Sequence, residues 1–106
     1  MTNAVSIAAV LMTASWERQF DAGKITKYGE RFDPAAMTCA AYGWPHNAIL
    51  RVTEIHCGAS VIVRVIDTPA KGFTNRIDLS PAAFARLAAP AAGLVEVRVQ
   101  EYLHIP

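Results

Sequence analysis

The sequence predicts a mostly β domain with one or two short helices, closed as a barrel. The first observation behind this prediction is length, because 106 residues make one hydrophobic core and are too few for two. The second is composition, since a chain with 53% hydrophobic and 18% charged residues is too apolar to be disordered. The third is the alternation of apolar and polar residues in several segments, which is typical of half-buried strands. Closing the sheet hides its edges.

The N-terminal part of the chain predicts an arm, a strand and a turn. Residues 1–12 are expected to form an extra strand or arm, packed on the domain or on a neighbouring chain. Residues 13–106 are expected to form the barrel domain. Within this part, residues 12–16 have the pattern of a strand, and Ala22-Gly23 indicates a turn.

Residues 49–67 predict a β-hairpin. Gly58 supplies the positive φ that its tight turn requires. In the second strand, residues 60–67, three valines share one face, and Asp67 follows on that same face because side chains alternate along a strand. Asp67 therefore ends an apolar row, and residues 68–72 follow as a loop.

Residues 80–89 predict a short helix. Ser80 is a good N-cap, and Pro81 suits the first helical position because a missing N–H costs nothing there. Residues 33–37 repeat this pattern of a capping residue followed by proline and are compatible with a second short helix. After the helix, residues 94–102 alternate valines with polar residues, so one face of this last strand is expected to be buried and the other wet.

Charge and hydropathy exclude two classes of partner. Ten basic residues against nine acidic ones give a net charge of +1, which lacks the basic surface expected of a nucleic-acid-binding protein. The longest apolar stretch, residues 4–12, is far shorter than the roughly 20 residues of a membrane-spanning helix, so no membrane span is predicted. No Lys or Arg precedes that stretch, so it makes no convincing signal peptide.

The cysteines and histidines predict no metal site, and no cofactor is predicted. Cys39 and Cys57 lack a CxxC spacing, and His46, His56 and His104 do not combine with them at the spacing of a zinc finger. A disulfide between the two cysteines and a pair of buried free thiols both remain open at this stage.

Six segments of the chain together resemble a known domain. In order they are residues 13–16, 29–34, 37–41, 51–53, 58–67 and 76–80. The series resembles the double-psi β-barrel domain of the rare lipoprotein A family and, more distantly, barwin and the expansins. The resemblance covers roughly residues 12 to 100. It implies a six-stranded double-psi β-barrel.

The resemblance also implies a groove that binds peptidoglycan strands and, in active members, lytic transglycosylase chemistry. That reaction cleaves the glycan between sugars and closes a 1,6-anhydro ring without water. It needs a carboxylic acid that protonates the leaving oxygen and whose conjugate base then takes the proton from the sugar's own hydroxyl. Asp67 and Glu30 match the catalytic carboxyls of the family. From the residues alone, Asp67 could instead cap a loop and Glu30 could be a solvated surface charge.

Four departures from the family's pattern affect this groove. Active members carry a histidine at the position of Ala41, and His46 falls where the family has an apolar residue. Thr68-Pro69-Ala70 replaces an Arg-Gly-Pro segment, and Ile66 replaces an asparagine. A site that loses positioned polar groups can lose orders of magnitude in rate while its fold survives.

Flat or polar side chains near these segments are candidates for contact with sugar rings. The predicted substrate-binding residues are Trp16, Tyr28, Tyr42, Trp44 and His46. The aromatic ones could equally pack in the core or at its rim. Asp78 is interpreted as a structural residue that anchors the loop before the helix. Asn47 stands where the family has glycine and is expected in a left-handed turn.

Three classes of function therefore compete: a peptidoglycan-cleaving enzyme, a glycan-binding module without cleavage, and an inactive structural barrel of a virion tail or tip. We expect a peptidoglycan-interacting barrel in a virion tail or the cell envelope, with cleavage left open. Its expected partners are glycan strands and, through residues 1–12, neighbouring virion proteins.

Overall fold

The computed structural model describes residues 8–17, 21–72 and 74–102. The described part contains six strands, one α-helix and one 3-10 turn. The strands are β1 (Val10–Trp16), β2 (Thr38–Ala41), β3 (Ile49–Glu54), β4 (Ser60–Asp67), β5 (Arg76–Leu79) and β6 (Val95–Glu101). The helix α1 spans Pro81–Ala85, and the 3-10 turn spans Pro90–Ala92.

The six strands close into a barrel in the order β1-β5-β2-β4-β3-β6. The pairs β1/β5 and β2/β4 are parallel, and the other four pairs are antiparallel. Between Cys39 and Ala40 the register of β2 on β4 shifts by one residue, as at a β-bulge. The predicted mostly β, six-stranded barrel is therefore confirmed.

The barrel interior is filled by the alternating apolar residues of the strands. In β6, Val97 and Val99 are fully buried while Glu96 and Arg98 are exposed, as the alternation predicts. In the hairpin of β3 and β4, Gly58 has the expected positive φ of 78°. One end of the core is covered by α1, whose Phe84 is fully buried.

The helix begins where its capping signal predicts but is shorter. The Oγ of Ser80 accepts a 3.2 Å hydrogen bond from the N–H of Ala83 and donates a 2.5 Å bond to the carbonyl of Ala36. Residues 33–37 form a turn instead of a second helix. The carboxylate of Asp33 accepts the N–H of Ala35 there at 2.9 Å.

The first strand of the barrel includes the end of the segment that is expected to form an extra strand or arm. β1 begins at Val10, and residues 10–12 of that segment pair with β6. Residues 1–7 of that arm lie outside the described residues. In the described ranges, no helix is long and apolar enough to cross a membrane.

Candidate functional site

Strand register brings two carboxyl groups to either side of one small residue. Ala40 on β2 is the register partner of Asp67 on β4 and of Asp78 on β5. Asp78 is in turn the partner of Ser15 on β1. Because directly paired residues project to the same face of a sheet, these four positions form a row across four strands. The small methyl group of Ala40 leaves space between the two carboxyls.

An open groove with a volume of about 640 Å³ lies at this row. Its acidic lining residues are Glu17, Asp21, Asp67 and Asp78. The described lining also contains one basic residue, Arg76, and one aromatic residue, Trp16. The groove is therefore acidic, with one flat apolar face. No group of three His, Cys, Asp or Glu is placed to hold a metal ion within the described ranges.

Asp67 is held at one oxygen by the backbone. Its Oδ1 accepts the N–H of Thr68 at 2.8 Å and the N–H of Lys27 at 3.1 Å. The two backbone contacts fix the orientation of the carboxyl group, so Asp67 presents a positioned oxygen at the end of β4.

Asp78 is held in the groove by its neighbours. The hydroxyl of Ser15 donates to Oδ1 of Asp78, and the Nε of Arg76 lies 3.6 Å from the same oxygen. Arg76 also donates to the Ser15 hydroxyl at 3.1 Å. Ser15 and Arg76 therefore hold Asp78 in the wall of the groove, a position that the sequence does not predict.

Glu17 is a groove residue that the sequence does not single out. It directly follows β1, and its N–H donates a 2.7 Å hydrogen bond to the carbonyl of Leu79, which continues the pairing with β5. Burial is the largest cause that raises the pKa of Glu17 from 4.5 to about 8. Repulsion from Asp67, Asp78 and Asp21 adds to the rise, in that order. The only signal in the sequence is a carboxylate placed directly after a strand that ends in tryptophan.

Glu30 lies outside the lining of this groove, in an ion pair. Nη1 and Nη2 of Arg64 donate to its two carboxylate oxygens at 2.6 and 2.8 Å. Nε2 of His46 lies 2.5 Å from Oε2 of the same carboxylate. These hydrogen bonds, that of Arg64 first, lower the pKa of Glu30 from 4.5 to about 2. Glu30 therefore stays ionised near neutral pH.

The loop of residues 26–30 links this ion pair to Asp67. The N–H of Thr26 donates to the carbonyl of Glu30 at 2.8 Å, and the N–H of Glu30 donates to the Thr26 hydroxyl at 3.3 Å. The N–H of Lys27 donates from the same loop to Asp67. An ordered Glu30 therefore helps to place one of the two donors that hold Asp67.

The structure shows the surroundings of His46, which the sequence does not predict. Its ring stacks on Tyr28 with the centroids 4.7 Å apart and the planes 15° apart, and its Nε2 faces Glu30. Ala41, at the position of the family histidine, is fully buried in the core. Next to His46, Asn47 has a φ of 73°, which confirms the expected left-handed turn.

The predicted sugar-binding aromatics are spread over the surface. Trp16 lines the groove, and its Nε1 donates to the carbonyl of Pro90 at 3.1 Å. Tyr28 stacks on His46 outside the groove. The hydroxyl of Tyr42 donates to the carbonyl of Pro69 at 2.8 Å, and half-buried Trp44 packs against the core.

Both cysteines are free. Cys39 is buried in β2, where burial raises the pKa of its thiol, and Cys57 is exposed at the hairpin turn. The structure therefore has neither a disulfide nor two buried thiols. At the same turn, Glu54 lies next to Cys57 and accepts its backbone N–H at 2.8 Å.

Comparison with known proteins identifies related sequences. A model of the lytic transglycolase family matches residues 8–99. The chain is 39% identical over 88 residues to the endolytic peptidoglycan transglycosylase RlpA of Pseudomonas aeruginosa, covering 83% of this chain and 26% of that protein. It is 36% identical over 87 residues to RlpA of Campylobacter jejuni, covering 82% of this chain and 32% of that protein. The chain spans only about a quarter to a third of these relatives.

Solved structures with low sequence identity share the fold. A variant of the Clavibacter michiganensis expansin in complex with cellohexaose superimposes with a TM-score of 0.74 at 18% identity, over 93% of this chain and 52% of that one. The Streptomyces papain inhibitor superimposes with a TM-score of 0.75 at 21% identity, over 91% of this chain and 96% of that one. These two likenesses support the barrel fold that the sequence segments predict.

Proposed function

The chain belongs to the lytic transglycolase family, and from this membership we propose that it binds peptidoglycan in the groove and cleaves the glycan there as a lytic transglycosylase. Relatives named endolytic peptidoglycan transglycosylases support this reaction class. The reaction breaks the bond between two sugars and closes a 1,6-anhydro ring on one of them.

Asp67 carries the proposal. It lines the groove at the end of β4, and two backbone N–H groups fix its Oδ1. A fixed carboxyl group can exchange a proton with a bound sugar without first having to be oriented, which is what general acid–base catalysis requires. We assign Asp67 as the group that accepts the proton of the attacking sugar hydroxyl.

Trp16 is the residue to which we assign the sugar-ring contact. It is half-buried in the wall of the same groove, and its hydrogen bond to the carbonyl of Pro90 holds the indole ring in place. A rigid, amphipathic ring provides apolar contact area at a low cost in side-chain entropy. Tyr28, Tyr42, Trp44 and His46 do not line the groove, so we assign them supporting roles in the surrounding structure.

Glu30 is proposed as a positioning residue. Its carboxylate is bound by Arg64 and His46, and its pKa of about 2 makes it a poor proton donor near neutral pH. Its loop supplies the Lys27 N–H that holds Asp67. We therefore expect loss of Glu30 to lower the rate by disturbing Asp67.

The setting of the protein stays a prediction from the sequence. Both a virion tail and the cell envelope would bring the groove to peptidoglycan. The arm expected to contact neighbouring virion proteins falls largely on residues 1–7, which lie outside the described residues.

The test is release of soluble fragments from isolated peptidoglycan, with and without stem peptides, analysed by mass spectrometry. The parent protein should release fragments with anhydro-sugar ends, and Asp67→Asn should release them at least about 100-fold more slowly. Asp33→Asn is the matched control, because Asp33 is exposed outside the groove and an asparagine oxygen can still accept the Ala35 N–H.

Two other results would contradict cleavage. Retention on insoluble peptidoglycan without any fragments would identify a glycan-binding module. Neither fragments nor retention would leave the alternative of an inactive structural barrel.

A further inference from the structure

The backbone places Glu17 among the other acidic residues of the groove, which are Asp21, Asp67 and Asp78. Glu17 follows β1 directly and is tied to Leu79 of β5 by a 2.7 Å backbone hydrogen bond. It lines the 640 Å³ groove and also a neighbouring cavity of about 180 Å³. Asp67 and Asp21 line the same two cavities. Glu17 and Asp67 therefore lie on the boundary between the two spaces.

The side chain of Glu17 has one oxygen in an environment that does not suit a charge. Its Oε1 is buried, and no described residue donates a hydrogen bond to it. A buried carboxylate oxygen without a donor costs free energy, and protonation of the group removes most of that cost.

The acidic groups around Glu17 also favour its protonated form. Asp67 on β4, Asp78 on β5 and Asp21 in the following loop all repel a negative charge on it. Arg76 lines the groove and Lys24 the neighbouring cavity, and they are engaged with Asp78 and Asp21 respectively. Together with burial, these surroundings keep Glu17 protonated at neutral pH, since its pKa lies at about 8.

We propose that Glu17 is the proton donor of the groove and that Asp67 is its partner base. This inference rests on the proposed function, because it assigns the source of the proton in that same reaction. It differs from a mechanism in which one carboxyl group gives and then takes the proton. When two carboxyl groups in one site have different surroundings, the one that holds its proton is suited to act as the acid and the other as the base.

The proposed step is balanced in atoms and electrons. The bond between the anomeric carbon and the glycosidic oxygen breaks, and its electron pair goes to the oxygen, which takes the proton of Glu17. The C6 hydroxyl oxygen of the same sugar bonds to the anomeric carbon, and its proton passes to Asp67. Glu17 ends as a carboxylate and Asp67 as a carboxylic acid, and exchange with solvent restores both.

The test compares the pH dependence of fragment release for the parent and for Glu17→Gln. In the parent, the rate should fall on the alkaline side as Glu17 loses its proton near pH 8. Glu17→Gln should be at least about 100-fold slower and should lack that alkaline fall. Glu17→Asp keeps an acid, so it should retain the alkaline fall at a reduced rate. Glu96→Gln removes an exposed carboxyl on β6 and should behave as the parent.

A second measurement does not depend on activity. Carboxyl carbon shifts followed by NMR should show Glu17 titrating near pH 8 in the folded parent. Titration near 4.5 would overturn the proposal.

The outcomes separate this inference from the function on which it rests. Equal rates and pH profiles in the parent and folded Glu17→Gln would overturn the proton-donor role and leave the transglycosylase standing. Absence of anhydro fragments from the parent itself would overturn the proposed function, and the donor role with it.

Discussion

Arg64 and Glu30 form an ion pair in which two guanidinium nitrogens donate to two different carboxylate oxygens, at 2.6 and 2.8 Å. This planar arrangement gives Arg–carboxylate pairs their geometric specificity. Arg64 lies on β4, three residues before Asp67, and Glu30 ends the loop that also holds Asp67. The ion pair therefore fastens that loop to the strand that bears the proposed base.

Replacing Glu30 by glutamine should reduce the loss of unfolding free energy that occurs as the pH falls from 4.5 towards 2. The pKa of Glu30 is lowered from 4.5 to about 2 in the folded protein. Its ionised form therefore stabilises the fold fully above pH 4.5, and this contribution is lost as the pH falls towards 2. Urea unfolding at several pH values measures the effect. Glu96→Gln should lose stability at acid pH as the parent does. The same loss in Glu30→Gln would show that ionised Glu30 does not stabilise the fold.

Replacing Glu17 by glutamine should change how stability depends on pH above 4.5. The folded-state pKa of Glu17 is raised from 4.5 to about 8, so folding takes up a proton in that range. The parent should therefore lose stability as the pH rises from 4.5 to 8, and Glu17→Gln should lose less. Urea midpoints at pH 5, 7 and 9 provide the measurement. An equal fall of the urea midpoint with pH in the two proteins would show that Glu17 does not hold its proton in the folded state.

Local signals explain which parts of the fold the sequence predicts. Gly58 itself adopts the positive φ that its turn requires. Ser80 and Pro81 start the helix through the cap contact of Ser80 with Ala83. The turn at residues 33–37 makes a contact that is distant in sequence, because the N–H of Ala82 in the helix donates to the carbonyl of Pro34 at 3.1 Å. Local propensity therefore predicts where the helix begins but not where it ends.

The groove could be predicted only in part because its residues meet through strand register. Asp67 follows from the alternation of one strand and from the family resemblance. Its placement beside Ala40 and opposite Asp78 depends on the parallel pairing of β2 with β4 and on a register shift at Ala40. The environment of Glu17 depends on burial and on repulsion from carboxylates up to 61 positions away, such as Asp78. No periodicity in a single sequence shows such an environment.

The two cysteines should differ sharply in reactivity. Cys57 is exposed, whereas Cys39 is buried and burial raises the pKa of its thiol. Thiolate and access are both needed for reaction with a disulfide reagent. A folded sample should therefore titrate one thiol per chain, and a sample in urea should titrate two. In Cys57→Ser the folded sample should titrate none, and two fast thiols in the folded parent would contradict the burial of Cys39.

Ser80→Ala should destabilise the protein by about 1–3 kcal/mol. The fully buried hydroxyl accepts the N–H of Ala83 at the start of α1 and donates to the carbonyl of Ala36. Its removal leaves both backbone groups without that partner. Ser60→Ala changes an exposed serine on β4 and should stay within about 0.5 kcal/mol of the parent in urea unfolding. Similar midpoints for the two variants would show that the cap contributes little.

His46→Phe tests how the ion pair is shared between its two donors. Phenylalanine can keep the stacking on Tyr28 but cannot donate to Glu30. The pKa of Glu30 should therefore rise above about 2, and it should rise less than in Arg64→Met, because the Arg64 hydrogen bonds are the larger cause of the lowering. NMR titration of the Glu30 carboxyl carbon gives the order of the three proteins. His56→Phe, which changes an exposed ring beside Glu54, is the control and should leave the pKa of Glu30 unchanged. A larger rise in His46→Phe than in Arg64→Met would mean that His46, and not Arg64, is the main partner that keeps this carboxylate ionised.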